Sequence, residues 1–129
     1  MTNEVVTAEG APAASGPYSP ATLAIGTRVL SISGQIAGNP DGSVVGGEDA
    51  YEQARECLRR VDELLQAAGA TKTDIVRVGI FLTDIAARPA VAKARVEYFG
   101  EHRPAATLVE ISALVTPELK VEIEATAIF

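Results

Sequence analysis

The stretch Asp74-Ile75-Val76-Arg77-Val78-Gly79-Ile80-Phe81-Leu82-Thr83 decides how the rest of the chain is read. Its run of β-branched and apolar side chains predicts one long strand. Side chains alternate between the faces of a strand. Val76, Val78, Ile80 and Leu82 therefore make an unbroken apolar face, expected to pack on helices. Arg77, Gly79, Phe81 and Thr83 make the opposite, mixed face.

On the N-terminal side of this strand, Ala50, Ala54, Cys57, Leu58, Val61, Leu64, Leu65 and Ala68 recur at helical spacing. They predict an amphipathic helix over about 48–68. Asp49 followed three places on by Glu52 resembles a capping box, and Gly69 is a natural C-terminal stop. Cys57 lies within the apolar stripe and reads as a small core residue rather than a nucleophile. On the C-terminal side, a second helix is expected from near Pro89 to Gly100, with Val91, Ala94, Tyr98 and Phe99 as its stripe. Ala105 to Ile111 and Leu119 to Phe129 are further strand candidates. In the latter, Leu119, Val121, Ile123, Ala125 and Ala127 share one face, and Lys120, Glu122, Glu124 and Thr126 share the other.

Nearer the start, Glu4 to Thr7 reads as a short strand. The prolines at 12, 17 and 20 exclude regular structure between Gly10 and Ala21. Arg28 to Ile36 reads as a strand with Leu30 and Ile32 on its apolar face and Val29, Ser31, Ser33 and Gln35 on the other. Asn39-Pro40-Asp41-Gly42 is a turn. Two helices on one face of a mixed sheet give an α+β layer architecture, expected as one domain over residues 1–129.

The sheet's second face then carries Ser31, Ser33, Gln35, Arg77, Phe81, Glu122 and Glu124. Two readings stay open. It is a solvated face of alternating polar residues, or it is an oligomer interface or binding site. The bulk properties narrow the partners. Of 129 residues, 47% are hydrophobic and 22% charged, and the formal net charge is -6. That field disfavours nucleic acid and anionic membrane surfaces. One cysteine excludes an internal disulfide and offers no metal-ligand spacing. No basic-then-apolar leader and no bilayer-length apolar run is seen, so a cytoplasmic location without membrane contact is expected.

Several strings now line up, in order and spacing, with one family. Ala11-Pro12 and Gly16-Pro17-Tyr18-Ser19-Pro20-Ala21 are similar to its N-terminal loop, and Ser33-Gly34-Gln35-Ile36 to its strand-end motif. Ala68-Gly69-Ala70, Phe81-Leu82-Thr83-Asp84, Tyr98-Phe99-Gly100 and Val121-Glu122-Ile123-Glu124-Ala125 follow. Over nearly its whole length the chain resembles the Rid (YjgF) family. The resemblance implies a chorismate-mutase-like fold of the bacillus type, assembled as a homotrimer with small-molecule sites in the clefts between subunits. It also implies hydrolysis of reactive imines and enamines such as 2-aminoacrylate, with no metal and no organic cofactor. Carried over by position, Tyr18, Ser33, Gly34 and Phe81 would line the cleft and backbone groups around Leu108 would contact the substrate. Glu122 would orient the attacking water. Each has a structural role open to it as well: Tyr18 packing its loop, Ser33 satisfying a strand end, Glu122 pairing with Arg77.

The chain departs from the pattern at Pro104-Ala105-Ala106-Thr107-Leu108. Ala106 stands where the family's deaminases have an arginine that binds the substrate carboxylate, next to Thr107, and Ala92 stands near the usual asparagine. Arg77, Arg95 and Arg103 are the candidate substitutes. The expected activity is therefore cofactor-free processing of an imine, enamine or related nitrogen compound, other than ordinary 2-aminoacrylate deamination. The alternative is a trimeric small-molecule-binding or stabilising protein without catalysis. Ribonuclease activity, attached to some relatives, is disfavoured by the acidic charge and the lone His102.

Overall fold

The computed structural model describes residues 2–129. The long strand of the opening stretch is β4 (Ile75–Leu82), and it lies inside a four-stranded sheet. Around it are β3 (Val29–Gln35), β5 (Ala105–Glu110) and β6 (Val121–Ile128), in the order β3-β6-β4-β5. β4 pairs with β6 antiparallel and with β5 parallel, so the sheet is mixed. The parallel pair needs a crossover, and α2 (Arg88–Phe99) supplies it. α1 (Ala50–Ala67) links β3 to β4.

Both helices pack on one face of the sheet, and their buried residues share a core with it. Ala54, Cys57, Leu58, Val61 and Leu65 of α1 and Val91, Ala94 and Phe99 of α2 meet Ile32, Val78, Ile80, Leu82, Ile123 and Ala125. The expected α+β architecture is the one that forms. Burying a leucine- or isoleucine-sized side chain contributes roughly 1.5–3 kcal/mol, so this shared face outweighs any single polar contact.

The ends of α1 follow from the chain. Asp49 accepts hydrogen bonds from Tyr51 N (2.9 Å) and Glu52 N (3.2 Å), which satisfies two of the helix's free amides. At the other end Gly69 has φ +82°, a left-handed conformation that only glycine adopts without cost. It lets Ala70 N reach Leu65 O (2.9 Å) and Gly69 N reach Gln66 O (3.0 Å), the paired bonds of a Schellman closure.

Three features differ from the reading of the sequence. First, β2 (Ala21–Ile25) was not anticipated. It forms a separate antiparallel ribbon with β1 (Thr2–Val6), in which Glu4 faces Leu23 and Val6 faces Ala21. Second, β4 carries a bulge between Ile75 and Arg77, so Ile75 rather than Val76 joins the core face, opposite Ala127. The bulge frees backbone carbonyls. Asn3 Nδ2 (3.0 Å) and His102 Nε2 (2.8 Å) take up Ile75 O, and Thr22 Oγ1 (2.7 Å) takes up Val76 O. Third, β3 has a register shift between Ile32 and Gln35, which brings Gln35 opposite Ile123 instead of onto the mixed face.

Candidate functional site

The first part of the site is built by pinning the Pro17–Ser19 loop onto the start of β5. Ser19 is buried; its amide donates to Pro104 O (3.1 Å), its hydroxyl donates to Arg103 O, and it forms an isolated parallel bridge with Ala105. Tyr18, one residue earlier, turns on Gly16 O through its own amide (2.8 Å). This places the Tyr18 ring across from α2. Between the loop, α2 and β5 is a cleft of about 360 Å³, lined by Pro17, Tyr18, Ile85, Arg88, Ala92, Arg95, Ala106 and Leu108.

The walls of this cleft differ in chemistry. β5 contributes only the side chains of Ala106 and Leu108. α2 contributes Arg88 and Arg95, seven residues apart and so on one side of the helix. Arg95 is 4% exposed. Its Nη2 donates to Pro17 O (3.3 Å), and its buried Nε has no partner among the described residues. Burial, with help from the charges of Arg103 and Arg88, pulls its pKa down to about 10. The Tyr18 phenol is also lowered, by its hydrogen bonds with the Ser15 hydroxyl and amide, aided by Arg88 and against some desolvation.

The second part lies on the sheet's mixed face. Glu122 on β6 is opposite Phe81 on β4. Gly34, at the irregularity of β3, abuts it: a Cβ added at 34 would collide with Glu122 Oε2 and lie 2.6 Å from Cδ. Glu122 makes no ion pair among the described residues. Arg77 does not reach it, because Arg77 is opposite Thr126, four residues along β4 from Phe81. The Arg77 guanidinium instead donates to Thr107 Oγ1 (2.6 Å). Ser33 is exposed in the same irregular stretch, and its carbonyl accepts from Gln35 Nε2 (3.0 Å).

Within one chain, then, Tyr18, Ala106 and Leu108 come together in the cleft. Gly34, Phe81 and Glu122 come together on the sheet, with Ser33 beside them, while Thr107 pairs with Arg77 on that same sheet. Of the three candidate cations only Arg95 lines the cleft. Arg103 turns back on its own helix end, donating to Gly100 O and to His102 O (3.1 Å). Arg88 was missed by the sequence reading; its spacing from Arg95 was the signal available. A further hollow between α1 and α2, about 330 Å³, has its polar groups already engaged: Asp62 accepts from Tyr98 OH (2.6 Å), and Arg59 is bound to Glu56 and Glu63.

Residues 8–129 match the profile of a family described as "Endoribonuclease L-PSP". The "3-aminoacrylate deaminase RutC" of Acinetobacter baylyi is 35% identical over 127 residues, covering 98% of each chain. The human "2-iminobutanoate/2-iminopropanoate deaminase" is 36% identical over 129 residues, covering 99% of this chain and 91% of its own. Among solved structures, a protein of the conserved Rid family from Yersinia pestis, YyfB, superposes with a TM-score of 0.87 at 34% identity, covering 100% of both chains.

Proposed function

The chain belongs to the Rid (YjgF) family and has its chorismate-mutase-like α+β fold, and from that premise we propose that it hydrolyses a reactive imine or enamine in a cleft shared between subunits of a homotrimer. The observation that carries this reading is the state of Glu122. Its carboxylate has no cation partner among the described residues, it sits where Gly34 has no side chain, and the face around it includes Phe81. A carboxylate so placed can orient and deprotonate a water. An enamine first takes a proton at carbon and becomes the imine. Water then adds to the imine carbon: its oxygen bonds carbon, one proton goes to Glu122 and on to nitrogen. The hydroxyl of the resulting carbinolamine then gives its proton, by way of Glu122, to nitrogen as the carbonyl forms, and the carbon–nitrogen bond breaks to release ammonia.

Tyr18, Ala106 and Leu108 lie on a different surface of the chain from Glu122, which favours a neighbouring copy completing the site. Exposed Val29 and Val109, with Phe81, give the sheet face the partly apolar character of a surface that another copy covers.

The substrate differs from 2-aminoacrylate in this reading. On β5, where the family's deaminases bind the carboxylate through arginine, Ala106 presents a methyl group, and Ala92 faces the same cleft. A carboxylate held against β5, as in those deaminases, would meet only Ala106 and Leu108 on that wall, which offer no charged donor. With enzymatically generated 2-aminoacrylate, little acceleration over a no-protein control is expected. Ala106→Arg should raise that rate. Robust turnover by the unmodified protein would overturn the assignment of Ala106. Binding of small ligands with no hydrolysis of any imine would favour the non-catalytic reading instead.

A further inference from the structure

We propose that the α2 side of the cleft, Arg95 with Arg88, is an anion site that holds a small organic carboxylate. This rests on reading the cleft as the ligand site, and it adds which group of the ligand binds where. Arg95 is the feature to explain. A guanidinium cannot lose its charge at neutral pH, yet this one is 96% buried, pairs with no carboxylate among the described residues and leaves Nε unsatisfied. Buried charges are normally paired.

The contrast within the chain is informative. Arg59 and Arg60 share Glu56, and Arg55 is paired with Glu52. Arg95 is surrounded instead by like charge, with Arg88 and Arg103 both lowering its proton affinity. A protein of net charge -6 has lined one cleft with two arginines, Arg88 and Arg95, and placed no acid among the lining residues. Holding Arg95 for structure alone would need no such arrangement, since its one hydrogen bond among the described residues, Nη2 to Pro17 O at 3.3 Å, leaves the buried Nε without a partner.

The opposite wall decides the class of anion. Ala106 and Leu108 offer hydrocarbon, and the space of about 360 Å³ exceeds what a bare inorganic ion fills. A ligand with a charged head and an apolar body fits both walls. The planar guanidinium matches a carboxylate through parallel N–H bonds. The head would sit against α2 and the body along β5, which differs from a carboxylate gripped from the strand.

The test is a binding titration of the full-length protein, by calorimetry or NMR, with butanoate, its neutral isostere butanamide, and inorganic phosphate. Butanoate should bind and butanamide should not. Arg95→Met should weaken butanoate by roughly ten- to a hundredfold, the loss expected for a charge-assisted hydrogen bond, and exposed Arg88→Met by a smaller factor. A thermal scan separates this from a structural role. Without ligand, Arg95→Met should melt at or above the unmodified protein, because a desolvated unpaired charge is gone, and butanoate should no longer raise its melting temperature. Equal binding of butanoate and butanamide, no binding of either, or undiminished butanoate binding by Arg88→Met and Arg95→Met would overturn the proposal. Phosphate displacing butanoate at lower concentration would reject a carboxylate in favour of a phosphate-bearing ligand. Because binding is read without turnover, imine hydrolysis with no carboxylate binding sinks this inference alone. Carboxylate binding with no hydrolysis leaves it standing and sinks the proposed reaction.

Discussion

At Gly34 the missing side chain is what leaves room for the Glu122 carboxylate. Gly34→Ala should push that flexible carboxylate aside rather than the backbone. Imine turnover is then expected to fall by an order of magnitude or more, with a stability change within about 1 kcal/mol, read by steady-state rates and thermal melts. A melt that collapses along with the rate would make Gly34 a structural residue only. Arg95 carries a pH signature. The anion binds its protonated form, whose pKa is about 10, so butanoate affinity should stay level through neutral pH and fall as pH rises through about 10. The groups facing it are Arg88 on its own helix, Arg103 beyond that helix and Tyr18 on the loop; β5 contributes none that titrate. Tyr18, shifted downward, would add repulsion as it ionises and sharpen the same fall. Single-residue properties were legible in the sequence where they follow from a face. Cys57 is fully buried in the stripe that predicted it, and desolvation pushes its thiol up to about 12. The crowding of Gly34 against Glu122 was not legible, because a register irregularity in β3 creates it.

The helices and the inner strands were read nearly to their ends, since a stripe of buried side chains and a cap such as Asp49 or Gly69 are local signals. Asp49→Ala is expected to cost about 1 kcal/mol in a denaturant titration, the usual value of an N-cap. What sequence patterning does not give is irregularity: the bulge at Ile75–Arg77 exchanges Ile75 for Val76 in the core, and the β1–β2 ribbon depends on partners distant in sequence. The charged clamp on α1 was likewise unread. Glu56 accepts from Arg59 Nε (2.7 Å) and Arg60 Nε (2.8 Å), while Arg60 Nη1 donates to Ile36 O (2.7 Å) and Gly38 O (2.7 Å), tying the loop after β3 to the helix. Hydrogen bonding to Arg59 leads the causes that hold the Glu56 carboxyl down at about 2, against partial desolvation. A depressed carboxyl stabilises the fold above its unfolded pKa and loses that contribution as pH falls through the folded one. Acid titration of stability should therefore show a loss between about pH 4.5 and pH 2 that Glu56→Gln lacks. An identical acid limb in both proteins would remove Glu56 from the account.

At the scale of the whole molecule the functional reading rests on the proposed homotrimer. In one chain the cleft and the Glu122 surface are apart, and the fold alone offers no way to join them. Light scattering is expected to give three times the chain mass, and a monomer at working concentration would leave the site without its second half. The family resemblance made the fold and the general chemistry legible. The sequence did not show which arginine lines the cleft, since Arg77, Arg95 and Arg103 are separated only by where β4, α2 and the following loop carry them. The most direct test is hydrolysis of an imine generated in solution, followed by ammonia release, with two variants and their mixture: Glu122→Gln, and Ala106→Trp, which fills the cleft. Each variant alone should be inactive, and subunits unfolded and reassembled together should regain activity, because some clefts then pair an intact Glu122 with an open wall. Activity in Glu122→Gln alone, or a mixture as inactive as its parts beside an active unmodified protein, would contradict the shared catalytic cleft.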